Sequence, residues 1–362
     1  MSFPLVMKFG GAGLRDGAAV QRACELAAEH STEAPIIIVS AHEGVTESLH
    51  HCAREAARGK LNLEALRLRH KGLLRQLALD PELLDRLLAE LGQVLYSVSE
   101  RRTIEPEELD FVLSFGERMS ARTVAACLRA RGVVATPVDA FDLGLTTDSC
   151  HGSARPLPGV EAGLRRSLDA LPGVPVVTGF LAKDDSGKLT TMGRNGSDLT
   201  AALVARAAGT RRLVFWKSVP GIMSGDPSLV SKARVIKSLS FIDAEALAFH
   251  GAEVLHASAL EPLRGTQIEV EVRDVSQPTQ PGTQLEERQP STSPVAIAGS
   301  ASLHGLLVPP EAGEPPSTLF ALMHAHHVRP RYLHTGPEGV TVYAPAGTRF
   351  DLLRRELSDR AL

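Results

Sequence analysis

Apolar residues near the start of the chain fall in two short unbroken runs, Leu5-Val6-Met7 leading into Lys8-Phe9, and Ile36-Ile37-Ile38-Val39. Runs this short with no polar alternation read as strands covered on both faces, as in a parallel sheet. Between them, residues 17–30 place Val20, Cys24 and Ala27 on one face of a helix. Strand, glycine loop (Gly10-Gly11-Ala12-Gly13), helix and strand form the start of a doubly wound α/β sheet, whose ligands sit at the carboxyl ends of strands. From residue 49 to 96 the pattern turns helical. Leu84, Leu87, Leu88, Leu91 and Leu95 build one packed face, so a helical insertion over about 49–110 is expected.

A further helix opens at Glu107-Glu108 and runs through Ser120. Residues 133–138, 174–180 and 213–216 predict strands, and 183–188 a polar hairpin returning into Leu189-Thr190-Thr191. Residues 199–208 predict a helix, 244–249 and 252–260 two short ones, and 268–272 a half-exposed strand. Between residues 276 and 294 the composition shifts to Pro, Gln, Thr, Ser and Glu, which marks a connection. The expected organisation is a large unit over 1–282, a linker over 283–294 and a small unit over 295–362. Strands at 295–298, 303–307, 328–334 and 339–344, with helices at 316–327 and 349–357, suit a ferredoxin-like α+β layer lacking a clear final strand.

A net charge of −3, with Lys and Arg dispersed, gives no reason to expect nucleic acid or an anionic membrane as partner. Cys24, Cys52, Cys127 and Cys150 lie far apart with no metal-ligand spacing, so free thiols and no protein-held metal are expected. No basic-then-apolar leader opens the chain and no apolar run is long enough to span a bilayer; a soluble cytoplasmic protein is expected.

The chemistry concentrates in Leu189 to Thr200, where Gly193-Arg194-Asn195-Gly196 runs into a helix that Ser197 or Asp198 is suited to cap. A helix start preceded by glycines favours anions, and Arg194 adds a planar fork for carboxylate or phosphate. Lys8 is informative because a lysine in a buried strand is costly unless its ammonium reaches a ligand or a counter-ion. The glycine loop after it is neither a Walker A sequence nor Gly-x-Gly-x-x-Gly. Gly116, inside a helix at a cost of about 1 kcal/mol, suggests close approach by another group. Glu117 beside it can receive an ammonium or lie on a solvated face.

Taken together, these segments resemble the aspartate kinases of the amino acid kinase family. Lys8-Phe9-Gly10-Gly11 is similar to the family's opening motif, and Ser40-Ala41-His42-Glu43-Gly44-Val45-Thr46 to its second loop. Ser114-Phe115-Gly116-Glu117-Arg118-Met119-Ser120 resembles its Ser-x-Gly-Glu-Arg-Leu-Ser signature. Gly179-Phe180 with 190–198 resembles its substrate loop, and Val219-Pro220-Gly221, Asp226-Pro227 and Gly251-Ala252 with Val254-Leu255-His256 its nucleotide segments. The likeness is collinear from Val6 to about Gly282, and the tail resembles one ACT regulatory module.

The resemblance implies an amino-acid-kinase-type fold and phosphoryl transfer from Mg2+-ATP to the side-chain carboxylate of L-aspartate. The product is 4-phosphoaspartate, the first step towards lysine, threonine and methionine. It assigns Lys8 to the transferring phosphoryl group, Gly10 and Gly11 to cradling it, and Asp198 to orienting the catalytic groups. Ser40, Thr46, Glu117, Phe180, Arg194 and Ser197 would bind the amino acid. Lys217, Ser218, Gly221, Met223, Asp226, Ser228 and Glu253 fall on the nucleotide side.

Several positions depart from the family pattern. Ala12-Gly13 replaces Thr-Ser, Lys217-Ser218 replaces Thr-Asp, Met223 a tyrosine and Ser228 an arginine. Glu253 replaces a lysine, which sets a carboxylate where phosphates are expected. Two readings follow, an active kinase with an altered nucleotide side and a weak homologue that binds amino acids in a regulatory role. A homodimer joined through the C-terminal unit is expected, because a missing final strand leaves a sheet edge to pair.

Overall fold

The structure, a computed structural model, describes residues 3–249, 254–288, 296, 303–308, 316–326, 328, 330, 332–336, 339–345, 348, 350, 353 and 355–356. The chain divides into two compact units, Met1–Ile297 and Ala298–Leu362.

In the first unit β1 (Leu5–Phe9) passes through a 3-10 turn (Gly11–Leu14) to α1 (Gly17–Glu29) and β2 (Ile36–Val39). Then come α2 (Val45–Ala56), α3 (Glu64–Gln76), α4 (Asp85–Arg101) and the long α5 (Pro106–Ala130). After them run β3 (Ala135–Val138), β4 (Thr146–Thr147), α6 (Val160–Asp169), β5 (Val174–Thr178), β6 (Leu181–Asp184), β7 (Leu189–Thr191) and α7 (Gly196–Ala208). The unit continues through β8 (Arg212–Lys217), β9 (Ser238–Ser240), α8 (Phe241–Phe249), α9 (Ala257–Leu260), β10 (Glu269–Asp274) and β11 (Thr283–Glu286).

Eight strands form one sheet in the order β3-β5-β2-β1-β8-β10-β11-β9, parallel except at the β10–β11 pair. Every residue of β1, β2 and β5 is buried, because helices cover both faces of the sheet. Side chains alternate between those faces. Val6, Ile36, Ile38, Leu213 and Phe215 pack on one side with α7 and α6, while Leu5, Met7, Phe9, Val214 and Trp216 pack on the other with α1 and α5. β4, β6 and β7 make a separate small sheet carrying the expected polar hairpin.

The helical insertion consists of α2, α3 and α4, packed with part of α5 around Leu49, Leu74, Leu91, Leu95 and Phe115. It ends short of residue 110 because α5 begins at Pro106. Pro106 is pre-set for the first helical position, and Glu105 and Glu108 exchange bonds in a capping box. Among the described residues, no helix is long and apolar enough to cross a membrane. All four cysteines are free, and Cys24 and Cys127 are buried.

Some expectations are corrected. The first four residues of the supposed linker form β11, since Thr283 and Leu285 turn inward between β10 and β9. Helix α7 starts at Gly196, three residues early, with Asn195 in the left-handed region as its cap. Ser197 and Asp198 therefore occupy the first turn rather than capping it. The helix expected over 252–260 is, in the described residues, the single turn α9.

In the second unit β12 (Leu303–Val308), α10 (Pro316–Ala325), β13 (Tyr332–Gly336) and β14 (Gly339–Pro345) have strand order β12-β14-β13, with both pairs antiparallel. That is the split βαβ arrangement of a ferredoxin-like layer. Its small core includes Leu306, Leu322, Met323, Val342 and Leu353. The strand expected at 295–298 lies outside the described residues apart from Ala296, as does the 349–357 helix apart from 350, 353, 355 and 356.

Gly116 has the reason suspected for it. A Cβ there would lie 2.8 Å from Cβ of Ala41, so α5 touches the loop after β2 with no room to spare. G116A gains about 1 kcal/mol of helix propensity but overpacks this contact at a typical cost of 1–3 kcal/mol. Net destabilisation in a urea titration is the expected result, and a raised midpoint would show the contact to be slack.

Candidate active site

Strand alternation and register bring two lysines together. Lys8 points to the α7 face of β1, and its partner across the β1–β8 pair is Phe215, on the same face. Two residues further on, Lys217 ends β8 on that face too. Helix α7 lies over both strand ends and offers Asp198 from its first turn, where the helix dipole favours an anion. Lys8 Nζ meets Asp198 Oδ1 at 2.5 Å, and Lys217 Nζ donates to Asp198 Oδ2 at 2.7 Å.

Burial would raise the Asp198 carboxyl, but the two lysines together hold it below the usual carboxylate range. Lys217 is brought down to about 8 by burial and by the charge of Lys8, against the pull of Asp198. Two ammoniums on one carboxylate leave a surplus positive charge at the strand ends, which suits an anionic ligand.

Around this triad opens a cleft of about 580 Å3, within the size range of small-ligand sites. It is lined by Lys8, Lys217 and Ser218, by Gly10 and Gly11 of the glycine loop, and by Ser40 and Thr46 after β2. Glu117 of α5, Phe180, and the 193–196 turn with Arg194 and Ser197 complete the wall. Every residue expected to bind the amino acid is thus gathered in one place. Phe180 holds a left-handed backbone (φ 69°), rare for a bulky side chain, with its N–H donating to Thr200 Oγ1 at 3.0 Å.

Glu117 is fully enclosed, and its carboxyl is pushed up to about 8 by burial, against the backbone N–H of Ala41 and the charge of Lys8. Its Oε2 meets no hydrogen-bond donor. A buried carboxyl with one open oxygen at a cleft wall is prepared to accept an ammonium.

The residues expected on the nucleotide side divide. Lys217 and Ser218 line the cleft, whereas Gly221, Met223, Asp226 and Ser228 do not. Gly221 packs against Thr283, and Met223 pairs with Val235 across a bridge. Asp226 accepts the N–H and the hydroxyl of Ser228, closing its own turn. Glu253 lies outside the described residues, though Val254 beside it lines the cleft. Unassigned by sequence reasoning were His42, Glu43 and Glu47, which also line it. The place of His42 and Glu43 in the loop after β2, and of Glu47 in the first turn of α2, was a signal; the long-range bond His42 makes was not visible. Among the described residues, no group of three or more His, Cys, Asp or Glu is placed to hold a metal ion.

The profile of the amino acid kinase family matches residues 4–274, and the chain belongs to that family. It is 33% identical over 302 residues to Aspartokinase 1, chloroplastic, of Arabidopsis thaliana, covering 80% of this chain and 53% of that protein. It is also 33% identical over 298 residues to Lysine-sensitive aspartokinase 3 of Escherichia coli, covering 78% of this chain and 64% of the relative. The chain spans about half the length of the plant relatives it matches. Among solved structures it superposes on E. coli aspartokinase III in complex with aspartate and ADP with a TM-score of 0.77 at 26% identity. That alignment covers 99% of this chain and 83% of the other.

The two shifted groups predict opposed pH dependences. Glu117 must be ionised to pair with an ammonium, so affinity for an ammonium-bearing ligand should rise as pH climbs towards about 8. Lys217 must be protonated to attract phosphate, so affinity for a phosphate-bearing ligand should fall as pH passes about 8. Calorimetric titrations from about pH 6.5 to 9 should show limbs of opposite sign, approaching tenfold per pH unit at the limit. Two flat profiles would remove both assignments.

Proposed function

We propose that the protein transfers the γ-phosphoryl group of ATP to the side-chain carboxylate of L-aspartate, giving 4-phospho-L-aspartate and ADP. The observation that carries this reading is the Lys8–Asp198–Lys217 triad opening onto the same cleft as Glu117 and Arg194. Phosphoryl transfer asks a protein mainly for positioning and charge neutralisation, and this cleft offers both. Glu117 receives the amino acid's ammonium and Arg194 its α-carboxylate, which aims the side-chain carboxylate at the triad. An oxygen of that carboxylate attacks the γ-phosphorus while the bond to the β–γ bridging oxygen breaks, and ADP leaves with that electron pair.

Lys8 and Lys217 face the charge that spreads over the phosphoryl oxygens, and Asp198 keeps both ammoniums in place. The amides of Gly10 and Gly11 border the same space. ATP would arrive as its Mg2+ complex, and the ion would supply neutralisation of phosphate charge. The donor set fits an ion carried mainly by phosphate oxygens, since Asp198 is already shared by two lysines and no carboxylate cage stands beside it among the described residues.

The likeness to named aspartokinases supports the substrate, and the substitutions Ser218, Met223 and Ser228 do not oppose it. Two of them stand outside the cleft, and Lys217 brings a cation to its nucleotide side. A coupled assay with Mg2+-ATP and L-aspartate, with hydroxylamine trapping of the acyl phosphate, tests the proposal. Turnover is expected in the parent, and K8A should lose about 10²–10³ of it with little change in aspartate affinity. Aspartate binding without any turnover in the parent would instead favour an amino-acid-binding homologue.

The C-terminal unit would join two copies into a homodimer. Among the described residues β12 pairs with β14 alone, and an uncovered sheet edge favours pairing with another chain. Light scattering of the full chain should give twice the chain mass at micromolar concentration. A monomer there would overturn the assembly.

A further inference from the structure

His42 lies in the loop after β2 and is fully buried, although its neighbours Glu43 and Gly44 are exposed. Its Nδ1 is 2.7 Å from the carbonyl oxygen of Leu14. A carbonyl can only accept, so Nδ1 carries the ring proton and donates it. Leu14 closes the 3-10 turn Gly11–Leu14, which holds most of the glycine loop, and carbonyls at the end of such a turn need a donor from elsewhere.

The bond therefore runs between two walls of the cleft, the phosphate-side loop 10–14 and the substrate-side loop 40–46. A second contact joins the same loops. A Cβ on Gly11 would lie 2.9 Å from the carbonyl oxygen of Ala41, so the backbones meet with nothing between them.

Helix α3 of the insertion braces this junction from behind. Arg69 donates to the carbonyl of Glu43, and the buried ring of His70 stands 5.8 Å from that of His42. None of these three side chains belongs to the Lys8–Asp198–Lys217 triad. The insertion that sequence patterning assigned a packing role thus reaches the wall of the cleft.

We propose that His42 is a positioning residue: its N–H bond to Leu14 holds the phosphate-side loop in register with the substrate-side loop, braced from α3 by Arg69 and His70. The effect on turnover rests on the kinase reading above; the tie between the loops does not. Group transfer between two bound substrates is sensitive to their separation, and a small misplacement of one loop lowers the rate strongly.

Three variants test this. H42L keeps an apolar side chain of similar reach and removes the donor, H42N restores a donor at the place of Nδ1, and H42A removes both. Amide hydrogen exchange over residues 10–14 and 40–46 should accelerate at least about tenfold in H42L and H42A and stay near the parent in H42N. Turnover should fall at least about tenfold in H42L and H42A and return to within about threefold of the parent in H42N. H42L should keep a melting temperature within a few degrees of the parent, separating position from global stability. Unchanged exchange over 10–14 in H42L, or H42N as slow in turnover as H42L, would overturn the proposal. If the parent fails to phosphorylate aspartate, the kinase reading fails by itself, and the exchange data still decide whether His42 ties the loops.

Discussion

One carboxylate, Asp198, holds two lysines that end adjacent parallel strands, at 2.5 and 2.7 Å. Burying three charged groups is tolerable only when each has a partner, since the desolvation penalty is several kcal/mol per ion. The arrangement satisfies that condition while leaving net positive charge at the mouth of the site. Two like charges about 4 Å apart repel by roughly 4 kcal/mol where the effective dielectric is near 20, so the lysines depend on the carboxylate between them. Strand pairing, the seating of α7 and the electrostatics of the cleft all meet at this residue.

The carboxyl ends of β1, β2, β5 and β8 supply the walls around it, as a doubly wound sheet dictates. Close packing sets their spacing. Gly116 lets α5 touch Ala41, and this brings Glu117 to the cleft wall with its carboxyl enclosed. A larger residue at 116 would displace the loop that carries Ser40 and His42. Helix packing and the shape of the cleft are thus coupled through a single missing methyl group.

Burial gives the two ends of the cleft different characters. It suppresses the charge of Glu117, and it weakens the hold of Lys217 on its proton. Each ligand would restore the charge on the group that receives it, so neither group carries the full cost of desolvated charge in the free protein. The surplus charge faces the glycine loop, where small residues let a ligand's oxygens approach the backbone.

Strand runs such as Ile36 to Val39, the leucine face of α4 and the glycine loop were legible in the sequence because each depends on local periodicity. Lys8 was legible for a related reason, since a lysine in a buried strand demands a partner, while Glu117, Arg194 and Asp198 stood out through their motifs. Other features rest on contacts across long separations. β11 looked like linker because a polar, proline-bordered strand of four residues carries little signal until β10 and β9 flank it. The start of α7 at Gly196 depended on the left-handed Asn195, and no single residue type announces that conformation. The exclusion of Met223 and Ser228 from the cleft, and the reach of His42 to Leu14, were decided by how the loops fold back on the sheet. Local sequence determined which elements form and which side chains needed partners; only the tertiary structure determined which partners they found.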